Sequence, residues 1–254
     1  MAHVCLDCGA FFDRHVPVCT ACFTFGRVVV RAERARALVD YQPEVASARD
    51  IARTSWGEVS VRTYPTLKLG PKALVVAVGE AGSGKSTFTA RALDGICGPV
   101  LLVSVEESIG PSLAARLRRA GVKRADFGVA SACSVDQIVE LTRRYDARAI
   151  GIDSVQPSAF AAARELRHLA AVLPKLELVV AVSQVNKHGR IAGTNDLEHE
   201  CDVLVRCEKL PNDGLTWRLE KSRYQACDDE HARGRILPRV PEALPEPEEV
   251  ANHA

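Results

Sequence analysis

A chain of 254 residues is long enough to bury a sizeable core, either as one large domain or as a domain with a small appendage. Its 47% hydrophobic and 26% charged residues exclude a disordered chain, and a formal net charge of +1 leaves attraction to nucleic acid to local patches. The N-terminus lacks a basic segment followed by an apolar one, and no apolar run approaches the roughly 18 residues of a membrane span, so a cytoplasmic protein without membrane contact is expected.

Residues 1–26 hold Cys5, Cys8, Cys19 and Cys22 in a C-x2-C-x10-C-x2-C arrangement. Two such pairs each wrap one side of a tetrahedral Zn2+ ion, and so short a segment needs that bond energy in place of a core. Four thiolates leave no open coordination position, so the zinc is expected to be structural. Cys97, Cys133, Cys201, Cys207 and Cys227 are scattered, and most are expected to be small buried hydrophobes. Residues 27–65 are Arg- and Ala-rich with weak periodicity and read as a linker carrying one or two helices.

From residue 66 to 236 the pattern predicts a folded core. Apolar runs of strand length at 73–78, 100–105, 126–130, 149–152 and 176–182 alternate with helical segments such as 86–93 and 111–120. Strands apolar on both faces and separated by helices imply a parallel sheet covered on both sides. Two further runs, 202–208 and 215–221, flank Pro211, Asn212, Asp213 and Gly214, a turn signal for a hairpin that extends the sheet antiparallel. The tail, 237–254, is rich in Pro and Glu and is expected to be disordered. The fold class is therefore α/β, with a mostly parallel central sheet preceded by a small zinc-ribbon-like module.

Gly79, Glu80, Ala81, Gly82, Ser83, Gly84, Lys85 and Ser86 match the G-x4-G-K-[ST] phosphate loop, with Thr87 following and a strand before and a helix after supplying the context. Glycines let backbone N–H groups turn inward onto phosphate oxygens, Lys85 reaches the outer phosphates and Ser86 ligates Mg2+. Asp153, ending the run Ile150, Gly151, Ile152, supplies the second acidic group such a metal shell requires; as a bare Asp-Ser strand end it reads equally as a helix N-cap. Glu106 and Glu107 follow the 100–105 strand, and Glu106 is the expected residue for orienting water. Gln184, at the end of the 176–182 run, stands where ligands collect in open α/β sheets and is a candidate γ-phosphate sensor. Arg116, Arg118, Arg119, Lys123 and Arg124 form a basic run that reads first as a solvated helix face.

The order of these parts resembles the RadA/Sms family of recombination ATPases, relatives of RecA, over roughly residues 1–26 and 70–226. The cysteine spacing with Gly9, the Val103, Ser104, Val105, Glu106, Glu107, Ser108 segment, the Ile152, Asp153, Ser154, Val155, Gln156 strand end and the Gly189 to Thr194 stretch with Leu197, Glu198, His199 are similar to the family's motifs. The resemblance implies a RecA-like P-loop core, ATP with Mg2+ as ligands, Glu106 as the catalytic glutamate, assembly into homo-oligomers, and DNA, single-stranded or branched, as the partner. It also implies DNA contacts at Lys187, His188 and Arg190. Lys221 and Arg223, in a divergent version of the family's KNRFG motif, are implied to act on a neighbouring subunit's ATP. The family carries a Lon-protease-like domain after its core, where this sequence has the acidic Pro-rich tail. The expected function is ATP hydrolysis coupled to DNA in recombination or repair; the alternative is a nucleotide switch that recognises partners through the zinc module.

Overall fold

The computed structural model describes residues 57–105, 107–132, 134–155, 163–185, 191, 196–212, 214–228 and 230–237, together with the backbone of three short strands near the N-terminus. The chain divides into two units, Met1–Ser55 and Trp56–Ala254. In the first, β1 (His3–Cys5) is the centre of a three-stranded sheet, pairing antiparallel with β2 (Phe11–Phe12) and β3 (Val28–Val30). The backbone of Cys5 lies on β1; Cys8, Cys19 and Cys22 lie outside the described residues, as do 238–254 and the greater part of 27–56.

The second unit alternates strand and helix. It runs β4 (Ala73–Gly79), α1 (Lys85–Asp94), β5 (Val100–Ser104), α2 (Pro111–Ala120), β6 (Phe127–Ser131), α3 (Val135–Tyr145) and β7 (Ala149–Asp153). Then follow α4 (Ala163–Val172), β8 (Leu178–Gln184), α5 (Asp196–Glu200), β9 (Val203–Lys209), β10 (Leu215–Ser222) and β11 (Arg233–Arg235). The eight strands form one sheet in the order β11-β10-β9-β4-β8-β7-β5-β6. β4 to β9 are mutually parallel, and β10 pairs antiparallel with β9 across the expected hairpin.

Each face of the sheet has its own core, which is why the strands read as continuous apolar runs. Along β4, Val75 and Ala77 join Phe88 and Leu93 of α1 on one face, while Leu74, Val76 and Val78 join Leu166 and Leu169 of α4 on the other. Helix ends follow local chemistry. Ser134 Oγ accepts from Gln137 N at 3.3 Å to start α3, Pro111 opens α2, and Gly121 closes α2 with φ 77°.

Residues 57–65, which the sequence pattern groups with the linker, contribute to this core. Val59 bridges to Leu69, and Val61 and Tyr64 are buried. Tyr64 stacks on Phe88 at 4.8 Å between ring centroids and meets Trp217 edge-on at 5.7 Å. Such aromatic burial contributes about 1.5–3 kcal/mol per ring.

One buried ionic pin holds the sheet's N-terminal edge. Asp202, just before β9, accepts from Leu74 N at 2.9 Å and from both terminal nitrogens of Arg167 on α4 at 2.6 and 2.7 Å.

Candidate nucleotide site

The end of β4 turns into α1 through backbone conformations that glycine adopts readily. Gly79, Gly82 and Gly84 have φ of 154°, 76° and 92°. A Cβ on Gly79 would lie 2.3 Å from the Cys207 carbonyl oxygen, so the loop closes against β9 only without a side chain there. Lys85 folds back over the loop, its Nζ donating to the carbonyls of Gly79 at 2.9 Å and Glu80 at 2.6 Å. Ser86 follows at the first turn of a helix whose N-terminus carries positive potential.

Sheet order decides what faces this loop. β8 lies between β4 and β7, and Gly79 is in register with Gln184; on the far side of β7, Ser104 is in register with Asp153. The four C-terminal strand ends thus form one rim. A cavity of about 410 Å³ opens on it, lined by Lys85, Ser86, Asp153, Gln184, Glu107 and Arg116 among others. The Asp153–Ser154 peptide is cis.

Two side chains here carry more than the sequence reading gave them. Arg116 of α2 forms ion pairs with both Glu107 and Asp153, its side chain 18% exposed and theirs 25% and 12%. Ser104 Oγ donates to the Glu107 carbonyl at 2.5 Å, holding the turn that aims Glu107 inward. The basic run therefore does not form one solvated face. Arg118, Arg119 and Lys123 are exposed. Arg116 enters the cavity, and Arg124 closes on Asp126 at 2.6 Å, holding that carboxyl below its usual range. A signal for Arg116 existed in the sequence: with buried Leu113, half-buried Leu117 and buried Ala120 it shares the apolar stripe of α2 at i, i+3, i+4 and i+7 spacing.

Glu106 lies outside the described residues, immediately before Glu107. So do Lys187, His188 and Arg190, in the segment that leaves β8 and returns at an antiparallel bridge between Val185 and Ile191. Lys221 and Arg223 are at the opposite edge of the sheet. Ser222 pairs with Val203 at the start of β9, Lys221 Nζ donates to the carbonyls of Glu198 at 2.6 Å and His199 at 2.8 Å, and Arg223 pairs with Asp202 at 3.4 Å.

Among the described residues, no group of three or more His, Cys, Asp or Glu is arranged to hold a metal. Cys201 and Cys207 are buried, as expected of small hydrophobes, whereas Cys97 and Cys227 are exposed; Cys133 lies outside the described residues. Burial pushes the Cys207 thiol up to about 12. None of the described helices is long and apolar enough to cross a membrane.

No protein-family model matches the chain. It is 27% identical over 259 residues to the DNA repair protein RadA of Haemophilus influenzae, a match covering 90% of this chain and 56% of that protein. The RadA of Salmonella typhimurium is 25% identical over 261 residues, with the same two shares, and that of Aquifex aeolicus is 26% identical over 228 residues, covering 82% and 51%. The chain spans about half the length of the curated relatives it matches. By motif order, sheet architecture and these matches, the chain resembles DNA repair protein RadA and has the α/β architecture that a RecA-like core implies.

Proposed function

We propose that the chain is a DNA-repair ATPase of the RecA type, binding ATP with Mg2+ at the rim where β4, β8, β7 and β5 end. The observation that carries this reading is the convergence of Lys85, Ser86, Asp153 and Gln184 on one cavity at the C-terminal edge of a parallel sheet. In it, the glycine loop and the α1 N-terminus receive the phosphates, and Lys85 exchanges its loop carbonyls for the outer phosphate oxygens. The donor set fits magnesium: a hydroxyl and a carboxylate are hard oxygen ligands, and Asp153 already holds a cation, the Arg116 guanidinium. When bound, the ion neutralises charge on the transferring phosphoryl group. Glu106 orients the attacking water, and Gln184, in register with the loop, registers the γ-phosphate.

DNA repair is in the names of the relatives, and DNA contact is assigned to Lys187, His188 and Arg190 beyond β8. Lys221 and Arg223 stand at the far edge of the sheet from their own chain's loop, so a role for them at a nucleotide requires a second copy. In the Met1–Ser55 unit the paired cysteine spacing supports a structural zinc site at Cys5, Cys8, Cys19 and Cys22. A cytoplasmic location completes this reading.

The test is ATP hydrolysis with and without single-stranded DNA, for the chain and for Lys85→Ala. Turnover is expected to rise with DNA and to vanish in the variant. Turnover indifferent to DNA refutes the DNA-coupled reading, and full turnover in Lys85→Ala refutes the site.

A further inference from the structure

The observation to explain is a third cation in a site that already has a lysine and a metal position. Arg116 reaches from α2 into the cavity and pairs with Asp153, the carboxylate assigned to the metal, and with Glu107 beside it. On α2 it shares a face, by i, i+3, i+4 and i+7 spacing, with Leu113, Leu117 and Ala120, of which Leu113 and Leu117 pack in the core and Ala120 is buried.

Without a cation between them, Glu107 and Asp153 would present two negative charges, at 25% and 12% exposure, to an incoming polyphosphate. With Arg116 seated between them, the pair is left with roughly one net negative charge. Arg116 Nη1 engages Oδ2 of Asp153, so a second cation of higher charge density on that carboxylate competes with the guanidinium for it. We infer that Arg116 is the exchange partner of the metal on Asp153: it neutralises the acidic pair while the site is metal-free and yields Asp153 as magnesium arrives with nucleotide. Arg116 is thus a positioning residue that sets how strongly nucleotide binding depends on metal. This inference rests on the nucleotide reading above.

Its signature is a ratio rather than an activity. Equilibrium titrations with a fluorescent ADP analogue, in excess magnesium and in EDTA, give the affinity with metal over the affinity without. In Arg116→Gln the bare carboxylates repel metal-free nucleotide and no longer hold a competing cation, so the ratio rises about tenfold, the worth of one charge-assisted hydrogen bond at a partly exposed site. Arg116→Lys keeps the charge and stays within about threefold of the parent. Glu107→Gln, which removes one negative charge and leaves the arginine, moves the ratio the other way. An unchanged or lowered ratio in Arg116→Gln overturns the inference and makes Arg116 a strut for Asp153. If Arg116→Gln does not fold, an unchanged or raised ratio in Glu107→Gln overturns it equally. No nucleotide binding by the parent chain in either condition sinks the nucleotide reading instead, and the two failures are thereby distinguished.

Discussion

Replacing Asp202 with Ala tests how the sheet's N-terminal edge is held. The carboxylate is 6% exposed, and its removal strips Leu74, itself 1% exposed, of the acceptor for its backbone N–H. An unsatisfied buried amide costs about 1–3 kcal/mol. Arg167 loses both of its contacts to Asp202, but it is 29% exposed and keeps its bonds to the Glu200 carbonyl, so the 3–5 kcal/mol typical of breaking a buried pair is discounted to about 1 kcal/mol. The sum is about 3 kcal/mol, or about 6–12 °C in Tm for a unit of this size. Thermal unfolding followed by circular dichroism measures it. Asp202→Asn, retaining an acceptor, should fall between parent and Ala. Lys175→Ala supplies the contrast: its pair with Asp146 is nearly as short, 2.8 Å, but 69% and 62% exposed, and its loss should be nearly silent. A loss under about 2 °C for Asp202→Ala would refute the reasoning.

Cysteine chemistry and metal content give two further checks. In the folded chain, Cys97 and Cys227 should alkylate with iodoacetamide at mildly alkaline pH while Cys207 does not, as read by peptide mass spectrometry; labelling of Cys207 at the rate of Cys97 contradicts its burial. The folded-state pKa of Cys207 is raised, so above about pH 9 the unfolded chain gives up a proton that the folded chain keeps until about 12, and this group removes stability as pH climbs through that window. Elemental analysis of protein purified without added metal should find one zinc per chain, lost in Cys5→Ser; well under one equivalent removes the zinc proposal.

The sheet and the phosphate loop were legible because each imposes a constraint that sequence expresses directly. Two-sided burial keeps β4 free of polar side chains, and β7 and β8 likewise up to their polar C-terminal ends, and a φ of 92° at Gly84 or a 2.3 Å approach at Gly79 leaves glycine as the residue that fits. Asp153 was legible as a polar residue ending such a strand. Arg116 was not, because a run of five basic residues masks which one lies on the apolar stripe, and only the alignment with Leu113 and Ala120 separates it. The start of the core was hidden for a related reason. Val59, Val61 and Tyr64 are spaced as a short irregular entry rather than as a strand or helix, so periodicity has nothing to register before they meet Leu69 and Phe88. The Asp202 pin escaped because its partners, Leu74 and Arg167, are 128 and 35 residues away along the chain.

The position of β8 between the phosphate-loop strand and the Asp153 strand makes it a shared wall. Gln184 is the last residue of that wall, and the next, Val185, already belongs to the bridge with Ile191. Any displacement of Gln184 therefore has one peptide unit to cross before it reaches that bridge. The lining of the cavity and the bridge beyond it are thus neighbours along the chain, separated by the length of one residue.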